Sequence, residues 1–242
     1  MKKEKNSKKR ISNILILILL AIILVSGYNI YKILHGYSAD RSKYSDIRDS
    51  VTNDGDRIDV NWADLRETNP DVVGWIYLKD SNIDYPIVQG DDNDRYLHIL
   101  FDGSYGNSGT LFTDCATLAP FRQFNTVVYG HHMKDGSMFG NLKKFIDSEY
   151  AKSHSRFVLA TPEGQYSLDV AAFLNCPYDS KIYDANVGGE DRAQYIEWIK
   201  EHAEYTSDVQ LSENDRLVIL STCAYEYEGA RYVVVGKLTA LK

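Results

Sequence analysis

The sequence predicts a mainly β domain, a barrel of short strands decorated by helices, carried behind an apolar N-terminal helix. Three observations point there. Eighteen tyrosines stand against five prolines, a balance that favours strands over a helical bundle. Short apolar runs alternate with turn residues along most of the chain. One long stretch, late in the sequence, keeps helical spacing throughout.

The chain starts with a basic cluster: Lys2, Lys3, Lys5, Lys8, Lys9 and Arg10. The 21 residues from Ile11 to Tyr31 carry no charge. As a helix they span about 31 Å, enough to cross a hydrocarbon core. The positive-inside rule puts the basic end in the cytoplasm and the rest outside. A cleaved signal peptide competes with this reading, because the apolar heart from Ile14 to Val25 is short. No A-x-A cleavage site follows it, which favours an uncleaved anchor. Both readings export the domain. The expected organisation is a cytoplasmic segment over 1–10, a transmembrane anchor over 11–31, a stalk over 32–60 and one globular domain over 61–242. The stalk carries Asp40, Arg41, Lys43, Asp46, Arg48, Asp49, Asp54, Asp56 and Arg57, the composition of a solvated linker, helical in part.

The domain's elements follow in order. Asn61 to Glu67 reads as a short helix with Trp62 and Leu65 on one face. Val72 to Leu78 and Ile83 to Val88 are β-rich runs split by Asp80, Ser81 and Asn82. Asp91 to Asp94 is an acidic loop. It lacks the spacing and the glycine of an EF-hand, so it reads as a solvated turn rather than a calcium site. Gly103 to Gly109 is a loop, Thr110 to Phe112 a short strand, Asn125 to Tyr129 another strand, and Phe139 to Ile146 a short helix. Arg156 to Thr161 and Gln165 to Phe173 form a hairpin turning at Pro162, Glu163 and Gly164. Asp191 to Glu204 is the best-marked helix, with Tyr195, Ile196, Ile199 and Ala203 at helical spacing. Leu217 to Leu220 is continuously apolar, hence a strand buried on both faces, and Tyr232 to Leu238 is the last strand.

Composition removes several function classes. At 44% hydrophobic and 25% charged, the chain is not disordered. Net charge is −7, with no basic stripe beyond the N-terminus, which argues against nucleic acid as a partner. Three cysteines, an odd number, leave at least one free thiol in an exported protein. No C-x-x-C pair offers a structural zinc site. Cys115 reads as a buried small hydrophobe. Cys176, between Asn175 and Pro177, reads as a loop residue.

Cys223 ends the apolar strand Leu217-Val218-Ile219-Leu220-Ser221-Thr222, a rigid mount for a nucleophile. A thiol attacks as its thiolate and needs a base or cation nearby. Arg231 lies eight residues on, at the start of the next strand. If the two strands pair as a hairpin, a guanidinium there favours the thiolate or donates to an oxyanion. The plainer reading, a surface arginine at a strand end, weighs about as much. His131 follows Tyr129-Gly130 at the end of another apolar strand and suits proton transfer. His132 is adjacent. Neighbours in extended chain point to opposite sides, so one of the two faces the cysteine. Taken alone, both read as loop histidines. His98, His154 and His202 lack comparable settings, and His202 sits on the polar side of its helix.

Leu220-Ser221-Thr222-Cys223 followed by Arg231 resembles the sortase signature, a TLxTC-like strand end with an arginine opening the next strand. Tyr129 to Phe139, reading YGHHMKDGSMF, is similar to the histidine segment of class B sortases. So are Val72-Val73-Gly74-Trp75-Ile76, Ile83 to Gly90 and Asp92 to His98. The resemblance covers about Asn61 to Leu238, with the motifs in the family's order. Two departures stand out. The signature's opening threonine is absent here, and Ala224 follows the cysteine where some relatives carry an acid.

The resemblance implies an eight-stranded sortase barrel with an N-terminal helical extension and a long helix before the penultimate strand. It implies a cell-wall sorting transpeptidase. Cys223 would attack the scissile carbonyl of a C-terminal sorting signal, His131 would be general acid and base, and Arg231 would steady the oxyanion. Asn93, Leu97, Tyr129, Ile182, Tyr183, Ser221 and Thr222 match the family's peptide groove. The partners implied are secreted proteins with NPQTN-like or proline–x–threonine–glycine signals and a peptidoglycan amine. The location implied is a single-pass protein of a Gram-positive cell membrane. No metal or organic cofactor is implied. Two other classes fit the same residues: a hydrolytic cysteine peptidase and a non-enzymatic membrane-tethered binding module. The first would yield free acid instead of an amide, and the second would show three inert thiols.

Overall fold

The computed structural model describes residues 2–49, 51–53 and 57–241, with side chains from Asn13 onward apart from Asn53. The side chains of the basic cluster from Lys2 to Arg10 lie outside the described residues, as do Asp54 and Asp56 of the expected linker. Helix α1 (Lys2–Arg48) is continuous. It is long and apolar enough to cross a membrane, and its large apolar side chains from Ile14 to Leu34 are exposed. Residues up to Ala39 form one unit, and the chain from Asp40 onward forms a second.

The last turns of α1 are not solvated linker. Asp40, Tyr44 and Arg48 stand four residues apart, so they share one helix face. Tyr44 is 2% exposed, and its hydroxyl donates to the Gly109 carbonyl at 2.5 Å. Asp40 accepts from the backbone N–H and hydroxyl of Ser108 at 3.1 and 3.0 Å. The Arg48 guanidinium lies 4.8 Å from the centre of the Tyr85 ring. Gly109 has φ +56°, and a Cβ there would collide with the carbonyls of Tyr96 and Leu97. Glycine alone therefore lets this loop lie close enough for Tyr44 to reach it.

A short hairpin, β1 (Val51–Asn53) and β2 (Ile58–Val60), precedes helix α2 (Trp62–Thr68), whose N-cap is Asn61. The strands β3 (Val72–Tyr77), β4 (Asp84–Val88), β5 (Leu111–Thr113) and β6 (Asn125–Tyr129) come next. Helix α3 (Ser148–Ser153), strands β7 (Arg156–Thr161) and β8 (Gly164–Pro177), and helix α4 (Arg192–His202) follow. Strands β9 (Tyr205–Thr206), β10 (Arg216–Cys223) and β11 (Ala230–Ala240) complete the chain. The sheet runs β11-β10-β6-β5-β4-β3-β7-β8-β9. Because β11 also pairs with β8, the ring closes on eight strands, and β9 adds only two residues at the side of β8. Closure satisfies both edges of the sheet. The pairings are antiparallel except β4 with β5 and β6 with β10.

Four local expectations change. The stretch from Phe139 to Ile146 holds a 3-10 helix over Leu142–Ile146, and a true helix, α3, starts only after it. Asp147 caps that helix, accepting from the N–H groups of Glu149 and Tyr150. Strand β8 runs past Phe173 to Pro177, because β11 continues to pair with it. Cys176 is therefore a strand residue, 4% exposed, and not a loop residue. Cys115, expected in the core, is exposed in the turn after β5. The acidic loop is a turn as expected: Asp92 accepts from the N–H groups of Asp94 and Arg95 and so opens a 3-10 helix. Helix α4 lays Tyr195, Ile196 and Ile199 on a core that includes Leu174, Leu217 and Val233.

Truncating Tyr44 to alanine is expected to lower stability by about 3 kcal/mol, as for other large buried aromatic side chains. Urea denaturation of the detergent-solubilised chain checks this, and an unchanged midpoint would refute the docking of the last turns of α1. Tyr96 is buried and donates to Asp71 at 2.6 Å. Burial first, and that bond next, push its pKa up to about 12. An unfolded tyrosine loses its proton near pH 10, so the folded chain binds more protons and loses stability as pH rises from about 10 through 12. Replacing Tyr96 by phenylalanine should flatten that alkaline decline, measured as urea midpoints at pH 9 to 12.

Candidate active site

Cys223 and Arg231 are Cα partners across the antiparallel pair β10–β11. Opposed residues in such a pair project to the same face of the sheet, so thiol and guanidinium start out as neighbours. Strand β6 runs parallel to β10 on the other side, with Tyr129 beside Ser221. The Gly130 N–H continues the ladder, donating to the Ser221 carbonyl at 3.0 Å. The next residue, His131, thus emerges at the rim where Cys223 ends its strand. A Cβ on Gly130 would lie 2.7 Å from the Phe139 ring, so the close approach needs glycine there.

The two histidines part as alternation requires. His131 lines the cleft and donates its Nε2–H to the Leu97 carbonyl at 2.7 Å, which leaves Nδ1 of the neutral ring as a proton acceptor. His132 turns the other way. Its Nδ1–H donates to the backbone carbonyl of Cys223 at 2.7 Å, and its ring packs against Tyr225 and Tyr232. His98 stacks on Tyr105, His154 on Tyr150, and the exposed His202 on Trp198.

A cleft of about 440 Å³ opens at this rim. Among the candidates from the sequence, Asn93, Leu97, Tyr129, His131, Tyr183, Ser221, Thr222, Cys223 and Arg231 line it. Ile182 does not. It is fully buried in the core with Tyr195 and Val233, and the chain presents its neighbour Tyr183 to the cleft instead. Tyr183 and Ser221 share a hydroxyl–hydroxyl hydrogen bond of 2.8 Å, and the Tyr183 ring stacks on Tyr129. Burial pushes both phenols up, and for Tyr129 the carboxylate of Asp114 adds to the rise. Both rings therefore stay neutral hydrogen-bonding groups at physiological pH.

Several lining groups were not singled out in the sequence. Tyr178, 63% exposed, lies 5.9 Å from the Arg231 guanidinium, whose Nη1 also donates to the Ala230 carbonyl. Its one sequence signal is its place just after Pro177, where β8 stops. Phe112 packs against Tyr129 from the neighbouring β5. Asp94 also faces the cleft. Cys176 is the Cα partner of Arg231 on its other side. Burial pushes its thiol pKa up, the setting of an inert cysteine.

A half-buried thiol, an imidazole with a free ring nitrogen and a guanidinium on one cleft can carry out acyl transfer. Comparison with known proteins agrees. A sortase domain model matches residues 76–239. Sortase B of Listeria monocytogenes is 34% identical over 233 residues, 93% of this chain and 95% of that protein. The crystal structure of sortase B from Bacillus anthracis in complex with AAEK1 matches with a TM-score of 0.75 at 31% identity, over 86% of this chain and all of that one. The Staphylococcus aureus sortase B–substrate complex matches with a TM-score of 0.70 at 28% identity, over 75% of this chain and 85% of that one. The chain belongs to the sortase family, in its class B branch of cysteine transpeptidases that sort proteins to the cell wall.

Proposed function

We propose that Cys223 is the nucleophile, His131 the general acid and base, and Arg231 the oxyanion-stabilising group of this transpeptidase. The observation that carries the reading is the meeting of these three residues on one cleft. His131 Nδ1 takes the Cys223 thiol proton, and the thiolate attacks the scissile carbonyl carbon as negative charge builds on the carbonyl oxygen, where the Arg231 N–H groups donate. The C–N bond breaks as His131 gives a proton to the departing amine, leaving a thioester on Cys223. An incoming amine then attacks the thioester, His131 takes its proton, and the sulfur leaves. The Leu97 carbonyl holds Nε2–H of His131, so Nδ1 is the atom that moves the proton.

Asn93, Leu97, Tyr129, Tyr183, Ser221 and Thr222 form the peptide groove in this reading. Its aromatic and hydroxyl lining suits an uncharged polar peptide of the NPQTN or proline–x–threonine–glycine type. The acceptor is an amine of peptidoglycan. A membrane anchor over 11–31, a cytoplasmic segment over 1–10 and an extracellular catalytic domain over 61–242 complete the proposal. It is supported by the uncharged stretch and the exposed apolar face of α1. Segment 32–60 then joins anchor to domain, its turns from Asp40 to Arg48 packed as part of the folded unit.

With a sorting peptide and an amine acceptor, the wild type should give an amide product and a thioester adduct visible by intact-mass spectrometry. Cys223→Ala should give neither, and cleavage at the wild-type rate by that variant would end the proposal. Replacing Arg231 by lysine keeps the charge and loses the planar fork of donors. It is expected to cut kcat by about 10²-fold or more, the scale of losing an oxyanion donor. A kcat within a few-fold of wild type would remove Arg231 from the oxyanion role.

A further inference from the structure

Behind the cleft, Asp114 joins two pieces of its wall. One carboxylate oxygen, Oδ2, accepts from the Asn93 side-chain amide and from the Tyr129 hydroxyl, both at 3.1 Å. The other, Oδ1, accepts from the Ala116 N–H at 2.9 Å and holds the turn. The Cys115 N–H donates to Asn93 Oδ1 at 2.9 Å. Both ends of the Asn93 amide are thus spoken for, and it cannot invert without losing two bonds. The turn is itself tied down: the Asp114 N–H donates to the Val127 carbonyl, and Gln89 donates to the carbonyls of Asp114 and Thr117. Asp114 does not line the cleft, whereas Asn93 and Tyr129 do.

We infer that Asp114 is a positioning residue for peptide recognition, fixing the Asn93 amide and the Tyr129 ring as a single preorganised wall. The inference rests on the reading of Asn93 and Tyr129 as groove residues. A carboxylate is the one side chain of this size that accepts from three donors at once. Asparagine in its place keeps the bond to Ala116 but presents an N–H₂ group where two donors already point. The wall then loses its fixed orientation, while Cys223, His131 and Arg231 keep their own contacts. The effect falls on peptide binding and spares the chemical step.

The test uses the full chain in detergent, with NPQTN and proline–x–threonine–glycine fluorogenic peptides, taking whichever the wild type cleaves. Asp114→Asn is expected to raise KM about fivefold or more, the scale of losing a charge-assisted hydrogen bond. Its kcat should stay within about twofold, and the rate of Cys223 alkylation by iodoacetamide should not change. In an Asn93→Ala/Tyr129→Phe chain, the same substitution should add less than about twofold, since its route of action is gone. A wild-type KM in Asp114→Asn, or its full effect persisting in that background, overturns the inference alone. A wild-type KM in the Asn93→Ala/Tyr129→Phe chain overturns the groove reading and this inference with it. Should the asparagine variant fail to fold, Asp114→Ser keeps an acceptor for the Ala116 N–H and takes its place in the same cycle.

Discussion

Because β6 and β10 run parallel and in register, their C-terminal ends finish at the same rim of the barrel. This backbone constraint assembles the site. It delivers Gly130-His131 from one strand and Cys223 from the other, although 91 residues separate His132 from Cys223, which it contacts. An antiparallel pairing would have sent the two ends to opposite rims. Strand β11 then doubles back beside β10 and sets Arg231 opposite Cys223. Because β11 also closes the barrel onto β8, these strand ends are tied on both sides and cannot splay.

The cleft built on that rim is polar and aromatic in layers. Phe112 packs tilted against Tyr129, which stacks on Tyr183, and the hydroxyls of the two tyrosines lead to Asp114 and Ser221 respectively. Each phenol is buried enough to stay neutral, and each has a partner. Buried hydroxyls without partners are costly, so satisfied bonds of this kind give the groove its rigidity. The three cysteines occupy three different settings. Cys223 is half-buried at the rim, Cys176 is buried in β8 with its pKa raised by that burial, and Cys115 contributes its backbone N–H to the Asn93 cradle.

Much of the fold was readable one strand at a time. Strand β6 falls where the apolar run predicts it, β10 is buried over Leu217 to Leu220, and α4 buries three of the four residues that helical spacing picks out, Ala203 being its half-buried C-cap. Errors fell where local signals are weak or misleading. The 3-10 helix over Leu142–Ile146 shares its apolar spacing with an α-helix. The proline at 177 marks the end of β8, but the three strand residues before it, Leu174 to Cys176, were hidden in a run that reads like loop. Asp40 and Tyr44 sit among charges, and only the surface they meet makes their four-residue spacing meaningful.

The sequence by itself determined the eight barrel strands, the apolar N-terminal helix, the family and the residues at three strand ends, because these rest on short-range patterns and local motifs; it did not reveal the short strands β1, β2 and β9. The tertiary structure alone decided which groups meet. Ile182 goes to the core while Tyr183 faces the cleft, and His132 takes the Cys223 carbonyl while His131 takes the cleft. Asp114 reaches Asn93 and Tyr129. Such choices depend on strand pairing and on which side of a turn packs, and contacts between residues far apart in the chain leave no periodicity to read.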